Sequence, residues 1–449
     1  LLATMKVENV EYTPLVNSLI RAVGLFPYLE PETAAWQERF VWEAFKADVG
    51  GGRSETLHRE QSRLLSALLA GKSIAVSAPT SFGKSFVIDS FISIKRPANV
   101  VILVPTIALA DETRRRLHRN FAGEYKIITT AEQSLSEENI FIFPQERALR
   151  YAQVIERVDI LIVDEFYKAS KDFDQERSPS LINAILTLSQ IAEQRYFLAP
   201  NIAGLKESVF TLGMEFLRLD FNTVVLDKND LSAAIGKDEQ KKSDALLDIL
   251  ANEPGKTLIY AGTYANIGRV ANLLMTSLAS SQSTLLAEFQ AWLSKNYDPN
   301  WALPKLVIKG VGIHNGRLHK SLSQIQVKLF DEADGLEQII STSSIIEGFN
   351  TSAETVVLWS NRNGRARIND FTYKNIIGRG GRMFRHFIGK IFILEEPPAD
   401  EETQLELEFP YELLGTFDEK TLDVEFSKEQ VAAIERYTTE MKQLVGDDN

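Results

Sequence analysis

The chain has 449 residues and a formal net charge of −12, and 44% of its residues are hydrophobic. This composition is typical of a globular protein with two or three domains. The negative net charge argues against a protein that coats nucleic acid with its whole surface, but it is compatible with a cleft that is locally positive. The absence of cysteine excludes disulfides, cysteine-ligated zinc and iron–sulfur clusters, and no apolar run is long enough to span a membrane, so we expect a cytoplasmic protein.

The first predicted unit, residues 1–52, is a helical segment. Apolar and acidic residues recur at helical spacing between Ala35 and Phe45. The run Gly50-Gly51-Gly52 then interrupts this pattern and predicts a hinge into the next unit.

Short apolar runs alternate with longer helical patterns over the middle of the chain. Such runs are typical of strands that are buried on both faces of a parallel sheet. They are Ile74–Val76, Val100–Val104, Asp159–Val163 and Tyr196–Leu198, then Thr257–Tyr260, Leu306–Ile308, Gln338–Ile340, Thr355–Leu358 and Lys390–Leu394. We therefore predict an α/β fold with two tandem parallel-sheet domains, residues 53–225 and 226–396.

The last predicted unit, residues 397–449, differs in composition. An acidic, proline-containing linker begins it, and a helical pattern follows over Lys428–Val445. We expect a short C-terminal extension, and whether it is truncated stays open.

A phosphate-binding loop is predicted between the first strand and the helix that follows it. Its sequence Ala-Pro-Thr-Ser-Phe-Gly-Lys-Ser ends in the Gly-Lys-Ser order of such loops, with alanine where the general pattern has its first glycine. Backbone N–H groups and the helix N-terminus would surround the phosphates of ATP, Lys84 would offset their charge, and Ser85 would coordinate Mg²⁺. The predicted nucleotide contacts are Thr80, Ser81, Phe82, Gly83, Lys84 and Ser85. The alternative is a helix-start loop that contains Gly-Lys-Ser by chance.

Two adjacent carboxylates complete this predicted site. Asp164 and Glu165 follow a buried strand, so Asp164 would hold Mg²⁺ while Glu165 would orient and polarise the attacking water. The alternative is a helix cap beside a solvated carboxylate. Gln61 precedes the first strand, and its amide matches the edge of adenine, the alternative being an ordinary surface glutamine.

In type and order these segments resemble the motifs of superfamily 2 helicases of the DExH type. Motif I resembles residues 78–85, and the other motifs resemble Val104–Leu109, Phe143–Arg147, Asp164–Tyr167, Ile340–Asn350 and Ile377–Arg382. Within that superfamily, Gly312–Gly316 and the Glu-Gly-Phe-Asn of motif V are similar to Ski2-like helicases. The Ser-Phe-Gly-Lys-Ser and Asp-Glu-Phe-Tyr segments look like the helicase subunit of bacterial antiphage systems such as Hachiman.

The resemblance implies two RecA-like P-loop domains that use ATP and Mg²⁺ and hold a nucleic-acid strand across their shared face. Arg379 and Arg382 would reach from the second domain to the γ-phosphate as arginine fingers, and Gly348 and Asn350 would lie near the ribose. The predicted strand contacts are Pro105, Thr106, Thr130, Thr342 and Ser343. The basic run of Arg114, Arg115, Arg116, His118 and Arg119 is either a further strand contact or a solvated helix face.

Three departures from the family pattern matter for function. Leu198-Ala199-Pro200-Asn201 replaces the Ser-Ala-Thr of motif III, whose hydroxyls are thought to link the ATP state to the strand grip. Asn375 stands where a Ski2-like protein usually has glutamine. Few residues follow motif VI, so the winged-helix and ratchet domains of Ski2-like proteins are missing, reduced or cut away.

Two functions follow as hypotheses. The first is an ATP-dependent helicase or translocase that moves along single-stranded DNA or RNA in antiphage defence, with a partner nuclease or effector subunit. The second is an ATP-gated clamp or sensor that regulates a partner nuclease with little unwinding, which the altered motif III favours. A metabolic P-loop ATPase or kinase would leave motifs V and VI unexplained.

Overall fold

A computed structural model describes residues 8–130, 133–151, 155–298, 300–345, 353–381 and 388–408, together with Leu2 and Met5. Three predicted site residues, Gly348, Asn350 and Arg382, lie outside the described residues, and so does the predicted helix 428–445.

The N-terminal segment is helical, as predicted. Helix α1 (Pro14–Val23) begins where the Thr13 hydroxyl accepts a hydrogen bond from the Val16 N–H, and helix α2 (Trp36–Ala44) follows a 3₁₀ turn. The hydroxyl of Tyr28 donates to the carbonyl of Thr223 at 3.3 Å. This contact joins the N-terminal segment to the linker between the two larger domains.

A hairpin connects the N-terminal segment to the first domain. Strands β1 (Lys46–Asp48) and β2 (Ser54–Thr56) pair in antiparallel fashion. Gly50, Gly51 and Gly52 all have positive φ angles, 83°, 63° and 70°, a conformation that glycine adopts readily. The prediction of a hinge at these glycines was wrong, because they form the turn of this hairpin.

The first domain is a parallel sheet covered by helices on both faces. Its elements in chain order are α3 (Arg59–Leu69), β3 (Ile74–Ser77), α4 (Lys84–Lys95), β4 (Asn99–Leu103), α5 (Ile107–Phe121), β5 (Lys126–Ile128), β6 (Asn139–Phe143), α6 (Gln145–Tyr151), β7 (Val158–Val163), α7 (Ser178–Gln190), β8 (Ala192–Ala199), β9 (Gly204–Leu205) and β10 (Glu215–Arg218). In the described part of the chain the sheet has seven strands in the order β10-β3-β8-β7-β4-β6-β5, every pair parallel.

This strand order brings the predicted motifs together. Strands β3, β8 and β7 are neighbours, and the carboxyl ends of parallel strands meet at one edge of a sheet. The N–H of Ala78 donates to the carbonyl of Ala199 at 3.0 Å, and the N–H of Asp164 donates to that of Leu103 at 2.9 Å. The phosphate loop, motif III and the acidic pair therefore lie side by side.

The second domain has the same design. Its elements are β11 (Val225–Asp230), α8 (Ser232–Ile235), α9 (Glu239–Asn252), β12 (Thr257–Tyr260), α10 (Tyr264–Ser277), α11 (Thr284–Asn296), α12 (Ala302–Val307), β13 (Val311–His314), α13 (Lys320–Asp331), β14 (Gln338–Ser341), β15 (Thr355–Leu358), β16 (Arg362–Asn363), β17 (Ala366–Arg367), α14 (Asp370–Ile377) and β18 (Ile388–Ile393). Among described residues six parallel strands form its sheet, in the order β11-β18-β15-β12-β14-β13. The predicted α/β fold with two RecA-like domains is confirmed.

One predicted strand was wrong. Leu306 and Val307 belong to α12, and they are fully buried because this helix packs between α11 and β13. The strand begins only after Gly310, whose φ of 77° turns the chain into β13.

The segment after β18 returns to the first domain. Strand β19 (Gln404–Leu405) pairs in parallel with β9. Leu405 and Leu407 are 0% and 4% exposed within the core of the first domain. Part of the predicted linker is thus built into that domain, and we call residues 397–407 the return segment. None of the helices described is long and apolar enough to cross a membrane.

Candidate nucleotide site at the domain interface

The phosphate loop has the geometry that its sequence predicts. A 3₁₀ turn, Thr80–Phe82, leads to Gly83, whose φ of 77° lies in the left-handed region, and α4 begins at Lys84. The ammonium group of Lys84 donates to the carbonyl of Ala78 at 2.8 Å. Burial lowers the pKa of Lys84, and the carboxylates of Glu165 and Asp164 oppose that shift. A cation thus lies at the mouth of the loop, beside the N-terminus of a helix.

Two buried side chains hold the loop from behind. The Gln61 amide donates to the carbonyls of Phe82 at 2.8 Å and Gly83 at 3.3 Å, and its oxygen accepts from the His58 N–H. The Nδ1 of His58 accepts from the Gln61 N–H, so its Nε2 carries the proton that it donates to Phe82 at 3.2 Å. Burial lowers the pKa of His58 to about 4, in keeping with this neutral form.

Gln61 is therefore occupied inside the protein, at 0% exposure. The predicted adenine contact stays a prediction, and it requires the amide to exchange its bonds to the loop. The sequence reasoning missed His58, although a cap that is followed three residues later by glutamine is the pattern of a capping box.

The acidic pair lies directly after β7. Glu165 has a φ of 54°, which is uncommon for a residue with a side chain and typically costs about 1–3 kcal/mol. Its N–H donates to the Asp164 carboxylate at 3.0 Å. Burial raises the pKa of both carboxyl groups, the neighbouring Asp164 charge raises that of Glu165 further, and Lys84 opposes both shifts. Both carboxyls are half-buried and interact with the phosphate-loop lysine, unlike a solvated helix cap.

Helix α14 of the second domain lies across these motifs. The hydroxyl of Thr80 donates to the carbonyl of Gly378 at 2.8 Å. The rings of Tyr167 and Phe173 each lie 4.7 Å from that of Phe371, which is 4% exposed. The two domains are therefore in contact at the phosphate loop and again at the aromatic residues that follow the acidic pair.

Arg379, in the turn after α14, reaches the same cluster. Burial lowers the pKa of its guanidinium, and the charge of Glu165 opposes that shift. Arg379 in turn opposes the rise in the pKa of Glu165 and adds to the lowering of the pKa of Lys84. At the predicted nucleotide site, Arg379 of the second domain thus acts electrostatically on a lysine and a carboxylate of the first domain.

The backbone carbonyls of Ser81 and Ser85 accept hydrogen bonds from side chains outside the phosphate loop. That of Ser81 accepts from the Thr223 hydroxyl at 2.9 Å, and that of Ser85 accepts from Arg116 at 3.0 Å. Arg116 also pairs with the buried Asp89 of α4, which holds α5 against the helix of the phosphate loop.

Two further arginines of the basic run are paired on their own helix. Arg114 and Arg115 lie 2.9 and 3.1 Å from the carboxylate of Asp111. Asp111 also accepts from Gln324 of the second domain at 3.5 Å. This arrangement favours a structural role for the run over a strand contact.

The predicted strand contacts follow the carboxyl ends of strands in both domains. Pro105 is buried and its carbonyl accepts from Arg177 at 2.6 Å, whereas Thr106 caps α5. Thr130 is exposed, Thr342 is 8% exposed and Ser343 is half-buried. Since these residues follow the carboxyl ends of β4, β5 and β14, they lie at the same sheet edges as the nucleotide motifs.

Comparisons with known proteins bear on this geometry. Residues 58–199 match the DEAD/DEAH box helicase family, and this stretch contains the phosphate loop and the acidic pair described above. Residues 58–199 therefore form a region similar to a DEAD/DEAH box helicase domain. Residues 1–39 match a second family, the anti-bacteriophage protein B N-terminal domain.

Full-length relatives extend the likeness over both domains. The chain is 35% identical to anti-bacteriophage protein B of Escherichia coli strain K12 over 419 residues, 90% of this chain and 56% of that protein. It is 22% identical to the ATP-dependent DNA helicase Hel308 of Thermoplasma volcanium, covering 75% of this chain and 52% of the relative. It is 23% identical to a helicase POLQ-like protein of Caenorhabditis elegans, covering 70% and 39%. The chain thus spans about half the length of the first two relatives. The predicted resemblance to Ski2-like and antiphage helicases is confirmed.

Proposed function

We propose that this chain is an ATP-dependent helicase or translocase that couples ATP hydrolysis between its two domains to movement along single-stranded nucleic acid. The observation that carries the proposal is the contact between the two domains at the phosphate loop, where the Thr80 hydroxyl donates to the carbonyl of Gly378 at 2.8 Å. This contact places the next residue, Arg379, where its charge acts on Glu165 beside Lys84 and Asp164. Because these groups come from two domains, a reaction at this site depends on how the domains are placed, which is the requirement for a motor.

The residues present fit ATP and Mg²⁺. The Lys84 ammonium and the N-terminus of α4 suit phosphate oxygens, and the Ser85 hydroxyl with the Asp164 carboxylate suits a hard divalent cation. Magnesium bound there would neutralise phosphate charge. Glu165, whose pKa is raised by burial, accepts the proton of the water that attacks the terminal phosphorus as the bond to the leaving oxygen of ADP breaks. Arg379 stabilises the charge on the transferred group.

For the strand we propose DNA, in antiphage defence and with an effector subunit as partner. The support is the likeness to a protein named anti-bacteriophage protein B and to DNA helicases. Thr106, Thr130, Thr342 and Ser343 carry hydroxyls, which suit phosphate contacts that are independent of base sequence.

The test is steady-state ATP turnover with single-stranded DNA, single-stranded RNA or neither. We expect stimulation by DNA, and turnover indifferent to both polymers would refute the motor. Lys84→Ala should lower turnover at least about 100-fold, by analogy with the loss of a transition-state donor. Lys95→Ala, an exposed lysine at the far end of the same helix, is the matched control and should leave turnover unchanged. Near-wild-type turnover of Lys84→Ala would refute the site.

A second candidate is the ATP-gated clamp. It is favoured by motif III, where Asn201 bonds the second domain in place of the family's hydroxyls. Strand displacement from a tailed duplex separates the two: a motor releases the displaced strand as ATP is consumed, whereas a clamp hydrolyses ATP with the duplex intact.

A further inference from the structure

Two of the departures from the family pattern meet in space. The side-chain amide of Asn201 donates to the side-chain oxygen of Asn375 at 2.9 Å, across the domain boundary and between positions 174 apart in the chain. We propose that this asparagine pair is a positioning contact that holds the nucleotide cleft closed and thereby places Arg379 at the site. This inference rests on the proposed function.

On the first domain, Asn201 is attached rigidly to the phosphate loop. It follows β8, whose last residue, Ala199, accepts from the N–H of Ala78 at 3.0 Å. The next N–H, that of Ile202, donates to the hydroxyl of Ser77 at 2.8 Å. The turn that contains Asn201 is therefore bonded on both sides to the end of β3 and the start of the phosphate loop. A displacement of Asn201 would move the start of the loop with it.

Asn201 itself has an unusual backbone. Its φ of 49° lies in the left-handed region, which asparagine tolerates better than other residues with side chains. This conformation brings the amide into contact with α14. An asparagine therefore satisfies both the turn and the contact between the domains.

On the second domain, Asn375 lies on the face of α14 that contacts the first domain. Phe371 lies four residues before it on α14, and helical spacing places these two residues in one row, whereas Arg379 follows in the turn that ends the helix. Phe371 packs on the rings of Tyr167 and Phe173, and Arg379 interacts with Glu165. The hydrogen bond at Asn375 thus lies between the packing contact and the arginine, and it fixes how α14 is seated.

Burial makes the pair depend on both partners. Asn375 is 2% exposed, and its side-chain nitrogen has no hydrogen-bond partner among the described residues. The bond from Asn201 is therefore the one that satisfies the side-chain oxygen of Asn375 when the cleft is closed. Loss of that bond leaves a buried polar group without a partner, which favours the open cleft.

Cleft closure can be measured without ATP turnover. The chain has no cysteine, so two introduced cysteines can be labelled selectively. Glu137 in the first domain and Glu288 on α11 are exposed, and Glu137→Cys with Glu288→Cys gives a donor–acceptor pair for single-molecule energy transfer. The readout is the ratio of closed to open molecules of the free protein.

Two variants at one position isolate the amide. Asn201→Gly keeps the left-handed backbone and removes the side-chain amide. Asn201→Asp offers an acceptor in place of the donor, and Asn375 can donate to it after its side-chain amide flips by 180°. We expect the closed-to-open ratio to fall about fivefold in the glycine variant, the factor for one net hydrogen bond, and to stay near that of the parent in the aspartate variant. An unchanged ratio in Asn201→Gly, or an equal fall in Asn201→Asp, would overturn the proposal.

Turnover assays on the same proteins separate this inference from the proposed function. If the parent protein is not stimulated by a strand, the motor fails, and the closure ratios still decide whether the pair holds the cleft. Where the parent is stimulated, Asn201→Gly should lower the stimulated kcat and Asn201→Asp should restore it. A fall in kcat with unchanged closure would mean that the pair acts in another way and would contradict the proposal.

Discussion

Leu405→Ala should destabilise the first domain, although Leu405 follows the second domain in sequence. Leu405 is 0% exposed and packs in the core of the first domain, where β19 pairs with β9. The strand is held by two further bonds: the N–H of Ala203 donates to Thr403 at 2.8 Å, and that of Lys206 donates to Leu405 at 2.9 Å. Truncation of a buried leucine removes its transfer free energy and leaves a cavity beneath the strand, at a cost of about 2–5 kcal/mol.

Hydrogen exchange read by peptide mass spectrometry can localise this loss. We expect faster exchange in peptides that cover β8 and β9 and little change in peptides that cover β12 and β14. Leu212→Ala is the matched control, because Leu212 is in the same domain but 52% exposed, and it should cost much less. Faster exchange confined to the second domain, or the same effect from both variants, would refute the view that the return segment is part of the first domain's core.

Three further predictions concern the site. Glu165→Gln removes the proton acceptor, so it should bind ATP and the strand but release the strand slowly, and rapid release seen by fluorescence anisotropy in ATP would count against the mechanism. Gln61→Ala removes one of the donors to each of the carbonyls of Phe82 and Gly83, so the loop should be held less firmly and the KM for ATP should rise. An unchanged KM would show that the loop keeps its shape without Gln61. His58→Asn should flatten the fall in stability between pH 6.5 and 5. With a folded-state pKa of about 4 against an ordinary 6.5, the unfolded chain binds the proton first, so the parent loses about 1.5 kcal/mol of unfolding free energy over this interval. Urea unfolding at the two pH values measures this loss.

Buried strands were predictable because a strand covered on both faces needs an unbroken apolar run. Ile74–Val76 and Val100–Val104 are such runs, and both fall on central strands. Strand β11 was missed since it lies at the edge of its sheet, and its sequence, Val-Leu-Asp-Lys-Asn-Asp, carries charges that are open to solvent. Leu306–Ile308 was wrongly predicted as a strand for the opposite reason. A short helix that is buried between other elements is as apolar as a buried strand.

The candidate site was predictable one motif at a time. The phosphate loop and the acidic pair are local patterns whose chemistry demands those residue types at those positions, so Lys84 and Asp164 could be chosen from sequence. The contacts between motifs were not predictable, since no local pattern relates Asn201 to Asn375 or Thr80 to Gly378. The sequence presented Asn201 and Asn375 as two separate departures, and only the fold shows that they are partners.

The return segment sets how the cleft can open. It crosses from the second domain to the first, where Asp400 contacts Lys374 of α14 at 2.7 Å and Glu402 contacts Arg218 of the first domain at 3.0 Å. Exposed ion pairs of this kind contribute at most about 1 kcal/mol each, whereas withdrawal of the buried Leu405 would cost several times as much. An opening motion therefore breaks the ion pairs first and leaves β19 in place. The two domains consequently stay joined by two segments, 219–224 and 394–403, and we expect them to rotate about these segments without separating.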